Sequence, residues 1–90
     1  MGFRYRPGLN IPYDQQGLIF FTSRTYEAQP VRVQRKIENL CRAAAGENWR
    51  ALFCYVTTDA GTVAVCQRFH LSENSLHRAV RKYYRMWEKA

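Results

Sequence analysis

The segment from Thr62 to Lys82, TVAVCQRFHLSENSLHRAVRK, limits what this chain can fold into more than any other part of it. Apolar residues recur there at helical spacing on both sides of a short break. The residues that share the two inward faces are Val65, Cys66 and Phe69 before the break and Leu76, Ala79, Val80 and Tyr83 after it. The pattern predicts two helices that meet at a tight corner over 70–72. Leu71 fills the angle between them, and Ser72 caps the second helix.

The outward face of the second predicted helix is polar and basic, which is typical of a surface that binds nucleic acid. Arginine and asparagine can form paired hydrogen bonds to guanine and adenine, so we expect Arg78 and Asn74 to contact base edges. Cations further along the helix would neutralise phosphates, and Thr62 would touch a backbone phosphate. The predicted DNA contacts are Thr62, Ser72, Glu73, Asn74, His77, Arg78, Arg81, Lys82 and Arg85.

The segment resembles the helix-turn-helix of bacterial and phage regulators, including the promoter-reading domain of sigma factors and small phage activators. Cys66 matches the small residue in the first helix, Leu71 the apolar residue after the corner, and Leu76 and Ala79 the apolar pair in the second helix. Many such motifs have glycine at the corner because the backbone adopts positive φ, whereas this chain has His70. The resemblance implies sequence-specific binding of double-stranded DNA by a bacterial, phage or mobile-element transcriptional regulator.

Size and charge agree with this interpretation. The chain has 90 residues, enough for one domain, and a net charge of +7 with a pI of about 9.8, which favours a polyanionic partner. From residue 60 to residue 90 there are six basic residues against two acidic ones. The charge could instead serve only solubility. The apolar runs are short, for example LIFF at 18–21, so no membrane-spanning helix is expected.

Chemistry other than binding finds little support in the sequence. Cys41, Cys54 and Cys66 lack the C-x-x-C spacing of metal sites, and their odd number predicts free thiols in a reducing cytoplasm. A metal site that uses Cys66 and His70 lacks further ligands at suitable spacing. Neither His70 nor His77 has a carboxylate placed to orient it. We therefore expect no enzyme activity, no cofactor and no metal.

The remaining chain predicts an all-α fold, a compact bundle of four to five short helices. Residues 14–90 form this helical domain. Within it, 14–29 fits a helix with Leu18, Phe21, Thr22 and Tyr26 on one face, although its composition also suits a strand. A helix begins near Pro30 and ends at Gly46. Its inward residues are Val33, Ile37, Leu40, Cys41 and Ala44. Another helix runs from Glu47 to Thr57, and either Thr58 or Asp59 is expected to cap the helix that follows.

Residues 1–13 contain two prolines and two glycines among aromatic and basic side chains, which predicts a flexible arm. The arm could place Arg4 and Arg6 in a minor groove. The favoured alternative is a tail that lies over the helical body, with Phe3 and Tyr5 covering apolar surface.

Two other functions remain open on the sequence alone. A helical adaptor could dock on RNA polymerase or another regulator without contacting bases, and RNA binding is compatible with the aromatic and basic arm although no RNA-binding signature is present. Tyr84, Met86 and Trp87 at the C-terminal end are hard to bury together, so some aromatic surface is expected to remain for a homodimer. A homodimer would contact two half-sites on the DNA.

Overall fold

The computed structural model describes residues 3–89, and all regular structure in this range is helical. Five α-helices follow one another as α1 (Tyr13–Arg24), α2 (Val31–Ala45), α3 (Trp49–Thr57), α4 (Thr62–Phe69) and α5 (Glu73–Lys89). Short 3-10 turns occupy Pro7–Leu9, Tyr26–Ala28 and Gly46–Asn48. The Cα radius of gyration is 12.1 Å. The all-helical, compact architecture confirms the predicted fold class, and the segment whose composition also suited a strand is helical.

The helices α2 and α5 form the centre of the packing, and the sequence predicted both from their periodicity. Ile37 and Cys41 of α2 are fully buried, as are Leu76 and Tyr83 of α5. The predicted start of α2 is confirmed, since Pro30 immediately precedes it, and Gly46 follows its last residue with a φ of 58°. Glycine adopts that backbone conformation at no steric cost, so it ends the helix there.

The buried face of α1 differs from the prediction. Leu18 and Phe21 were predicted to share the apolar face of this helix, but they are 59% and 57% exposed. The face turned to the core carries Gln16, Ile19 and Ser23, each 0–1% exposed. Two of these three side chains are polar, so hydrophobic periodicity could not identify the face. They are buried because each has hydrogen-bond partners in the core.

A hydrogen bond between Ser23 and Tyr83 connects α1 to α5. The Ser23 hydroxyl donates to the carbonyl oxygen of Ile19 at 2.8 Å, and the oxygens of Ser23 and Tyr83 are 2.6 Å apart. Since the single hydroxyl proton of serine is engaged with Ile19, the Tyr83 hydroxyl donates to Ser23. This bond fastens α5 to α1 across 60 residues of sequence.

The C-terminal aromatic residues are better covered than expected. Tyr84 is 6% exposed, and Met86 and Trp87 are half-buried against the core. The ammonium of Lys36 on α2 lies 4.7 Å from the centre of the Trp87 ring, in a cation–π contact. The expected aromatic surface for self-association is therefore small at this end. The large exposed apolar side chains include Tyr13, Leu18 and Phe21 of α1 instead.

The segment that precedes α1 also contributes to the core, whereas the favoured alternative was a tail that covers only the outside. Leu9 and Ile11 are each 4% exposed. The Gln16 side chain fixes this segment, because its amide donates to the carbonyl oxygens of Arg6 and Ile11 at 2.9 Å and its oxygen accepts from the Arg6 N–H at 2.8 Å. Residues 1–2 of the predicted arm, and Ala90 of the predicted domain, lie outside the described residues.

The predicted cap before α4 is wrong. Gly61 precedes the helix, and no side chain caps its first turn. Thr58 instead closes the end of α3, because its hydroxyl donates to the Cys54 carbonyl at 2.6 Å and accepts from the Ala60 N–H at 3.2 Å. The carboxylate of Asp59 forms an ion pair with Arg24 of α1. These contacts order the α3–α4 connection without using the start of α4.

All three cysteines are free thiols. Cys41 is fully buried, and burial, with a smaller contribution from Glu38, raises the pKa of its thiol to about 12. Burial and then the charge of Glu73 raise the pKa of the Cys66 thiol. Among residues 3–89 there is no cluster of three or more histidine, cysteine or acidic side chains that could hold a metal ion.

Candidate nucleic-acid interface

The corner between α4 and α5 is built by the backbone of His70 and Leu71. His70 adopts left-handed φ and ψ of 55° and 52°, a backbone conformation that glycine adopts most easily. The N–H of Leu71 then donates to the Cys66 carbonyl at 3.0 Å, which ends α4. Leu71 is half-buried against the core, next to the angle between the two helices.

The start of α5 has a side-chain cap. The Ser72 hydroxyl oxygen accepts the N–H of Ser75 at 3.1 Å, and the two serine hydroxyls are 2.9 Å apart. The predicted cap at Ser72 is confirmed. The dipole of α5 favours an anion near this end of the helix.

Four of the predicted contact residues form one line along the outside of α5. At 100° per residue, positions i, i+4, i+7 and i+11 fall on the same side of a helix. Asn74, Arg78, Arg81 and Arg85 occupy these positions, and all four are exposed. We call these four residues the outer row. It presents one amide and three guanidinium groups over about three turns of helix.

Lys82 lies beside the outer row, and Arg85 at the end of the row contacts another part of the chain. Lys82 is exposed and lines a groove of about 200 Å³ together with Ser75, Arg78 of the outer row and the end of α2. Arg85 belongs to the row, but its guanidinium lies 3.5 Å from the Gly8 carbonyl, to which it donates. The segment before α1 therefore reaches the far end of the row.

The other predicted contacts do not lie on the outer row. Glu73 is exposed on the side of α5 turned toward α4, close enough to Cys66 to raise the pKa of its thiol. Thr62 and His77 are half-buried and line a separate cleft. The three are therefore less well placed for a ligand that follows the outer row.

Two features of the surface were missed by the sequence interpretation. One is the cleft lined by Thr62 and His77, which contains side chains from distant parts of the chain and so leaves no local pattern. The other is the exposed apolar side of α1. A signal for this second feature exists in the sequence, because the weak amphipathicity of LIFF and its neighbours means that some large apolar side chains must face solvent.

Comparison of the chain with protein-family models, with curated proteins and with solved structures gave no match. Its function must be inferred from its own side chains and their geometry. No helix within residues 3–89 combines the length and the apolar character that crossing a membrane requires.

The backbone of His70 offers a direct test of the corner. We expect His70→Val to lower the free energy of unfolding by about 1–2 kcal/mol, because a β-branched residue is strained at positive φ. His70→Gly should be at least as stable as the parent. Since His70 is exposed, neither change removes core packing. Urea denaturation followed by circular dichroism measures both values, and equal stabilities for the valine and glycine variants would contradict the assigned backbone conformation.

Proposed function

We propose that this protein binds double-stranded DNA in a sequence-specific manner through α4, the corner and α5, and that it acts as a small bacterial, phage or mobile-element transcriptional regulator. In this proposal α5 enters the major groove, which is wide enough for one helix. α4 lies across it and fixes its angle through Leu71, Leu76 and the left-handed turn at His70.

The observation that supports this function most is the outer row. A helix whose exposed side carries Asn74, Arg78, Arg81 and Arg85 in one line, with an N-terminal turn capped by Ser72, has the donors that base edges and phosphates accept. In the proposed complex, Arg78 contacts guanine and Asn74 contacts adenine near the start of the helix. Arg81, Arg85 and Lys82 neutralise phosphates and give affinity without sequence preference.

A single small motif buries little surface on DNA, so we propose that the protein binds as a homodimer on two half-sites about 34 Å apart. Such a dimer would require a second interface on each chain. Binding to RNA polymerase or another regulator would serve the same purpose by adding contact area.

A second function is favoured by one observation. Tyr13, Leu18 and Phe21 on α1 are 62%, 59% and 57% exposed, and large apolar side chains grouped on one helix are typical of protein–protein contacts. A helical adaptor would use this side of α1 to bind a protein and would ignore duplex DNA. Raising the salt concentration distinguishes the two functions. It should release duplex DNA that is bound through cations, whereas a protein that is bound through the apolar side of α1 should remain.

Salt dependence distinguishes the proposals. If Arg81, Arg85 and Lys82 each neutralise a phosphate, the logarithm of the binding constant should fall with the logarithm of salt concentration at a slope of about −3 per bound chain. Fluorescence anisotropy with duplexes selected from a random pool measures the slope and the specificity together. Absence of duplex binding at about 50 mM salt would contradict the DNA proposal.

Two substitutions separate base contacts from phosphate contacts. Arg78→Ala should cost about 1–3 kcal/mol on the selected duplex and little on random duplex, because a base contact is lost. Lys82→Ala should weaken both duplexes alike and reduce the salt slope by about 1. Arg32→Ala, which removes one exposed charge from α2, is the matched control and should leave specificity unchanged. If Arg78→Ala binds both duplexes as the parent does, the assignment of its role is wrong.

A further inference from the structure

A cleft of about 550 Å³ lies between the segment before α1, α1 itself, α3, the connection to the start of α4, and α5. Its volume is within the range of pockets that hold small molecules. Thr62 and His77 lie on its wall, but the outer row does not. The cleft is therefore a second concave surface, separate from the proposed base-contacting side of α5.

The polar part of the cleft wall is cationic. Arg4, Arg6 and Arg24 all line it, and no carboxylate is among the described residues of the wall. Asp59 lies beside the cleft and pairs with one terminal nitrogen of Arg24. One carboxylate against three guanidinium groups leaves an excess of positive charge, which favours an anionic ligand with several acceptor oxygens.

Two of these arginines are held in place within the fold. The guanidinium of Arg6 donates to the Tyr55 hydroxyl at 3.4 Å, and that of Arg24 lies 4.7 Å from the centre of the Phe20 ring. The Nε of Arg24 is buried and has no hydrogen-bond partner in the described part of the chain. Most buried donors in proteins have a partner, so Arg24 retains unused hydrogen-bonding capacity at this wall.

Aromatic rings form another part of the wall. Phe3 and Phe20 both line the cleft, with ring centres 5.5 Å apart. Two further rings extend this aromatic cluster. The ring centre of Tyr13 lies 5.4 Å from that of Phe3, and the ring centre of Phe21 lies 5.1 Å from that of Phe20. Phe3 and Phe20 are half-buried, and their rings beside the arginines provide an aromatic surface for a planar base next to a site for its phosphate.

We propose that this cleft binds a nucleotide, with the phosphate on Arg4, Arg6 and Arg24 and the base against Phe3 and Phe20. The proposal does not depend on duplex binding by α5. A free mononucleotide and the phosphorylated end of an unpaired strand present the same phosphate and base, so either could be the natural source.

Isothermal titration of the full chain with adenosine 5′-monophosphate, inorganic phosphate and adenosine tests the proposal. We expect saturable binding of the monophosphate at least tenfold tighter than of either fragment, because only the monophosphate meets both parts of the wall. A short unpaired strand with and without a 5′-phosphate distinguishes the two sources. A preference for the phosphorylated strand over the mononucleotide identifies a strand end, and the reverse identifies a free nucleotide; both support the site. No saturable binding of any phosphate-bearing probe, or equal binding of phosphate and monophosphate, would overturn it.

Substitutions in the cleft wall test whether the ligand binds there. Arg6→Gln and Arg4→Gln should each weaken the monophosphate at least fivefold, and Phe20→Leu should weaken it while leaving inorganic phosphate unchanged. Arg32→Gln on α2 is the matched control. Arg4 is exposed, so its variant keeps the proposal testable even if Arg6→Gln proves unstable. Binding by both arginine variants at the parent affinity would place the ligand elsewhere and contradict the proposal.

Discussion

Replacing Gln16 with leucine is expected to lower the free energy of unfolding by about 2–4 kcal/mol. The side chain is fully buried and makes three hydrogen bonds to backbone groups of Arg6 and Ile11. Leucine has a similar size but cannot form these bonds, so the Arg6 N–H and the Ile11 carbonyl lose their partner. Burial of unpaired backbone groups is costly, and the segment that carries Leu9 and Ile11 would also be released from the core.

The neighbouring glutamine provides the control for this experiment. Gln15 is exposed, and Gln15→Leu should change stability by no more than about 0.5 kcal/mol. Urea denaturation of both variants, followed by circular dichroism, gives the comparison, with unchanged m-values showing that only stability differs. If Gln16→Leu unfolds at the same urea concentration as Gln15→Leu, the side chain does not anchor the segment before α1.

Stability is expected to fall steeply above about pH 10. Burial is the main cause that raises the pKa of the Tyr84 hydroxyl and of the Cys41 thiol, each to about 12, and burial also raises the pKa of Tyr83. These groups bind a proton more tightly in the folded chain than in the unfolded chain. Their contribution is therefore fully present below the unfolded pKa values of about 9–10 and is lost as pH rises toward 12. Tyr84 alone should account for about 2 kcal/mol of this loss.

The variant Tyr84→Phe measures the contribution of the Tyr84 hydroxyl to this pH dependence. At pH 8 its stability should be close to that of the parent, because a protonated tyrosine and a phenylalanine fill nearly the same volume. Between pH 10 and 12 the variant should lose about 2 kcal/mol less than the parent. Thermal or urea unfolding at several pH values measures the difference. Parallel curves for parent and variant over this range would mean that the Tyr84 hydroxyl ionises as freely in the folded chain as in the unfolded one.

The parts of the fold that the sequence predicted are those in which apolar residues alone decide what is buried. In α2 and α5 the inward residues repeat at three and four positions, and Pro30, Gly46 and Ser72 mark helix ends with well-understood local chemistry. The corner was predictable for the same reason, since Leu71 and Ser72 stand at fixed distances from the two apolar stripes.

The parts that were not predicted depend on contacts between distant residues. Gln16 and Ser23 are polar, and only their partners in the segment before α1 and on α5 explain why they are buried. Leu9 and Ile11 stand alone among prolines, glycines and polar residues, so no periodicity marks them as core. The cleft that includes Thr62 and His77 brings together side chains from the segment before α1, α1, α3, the start of α4 and α5.

In the helix α5, the residues that fill the core and the residues of the outer row form two separate sets. Leu76, Val80 and Tyr83 fill the interior, while all four side chains of the outer row are exposed. Within the row, Arg78 lines the edge of the groove beside α2, and Arg85 contacts the Gly8 carbonyl. Side chains in the outer row can therefore be exchanged at small cost in folding free energy. A library that randomises codons 74, 78 and 81 should yield mostly well-folded proteins, which makes this small scaffold suitable for engineering new binding preferences.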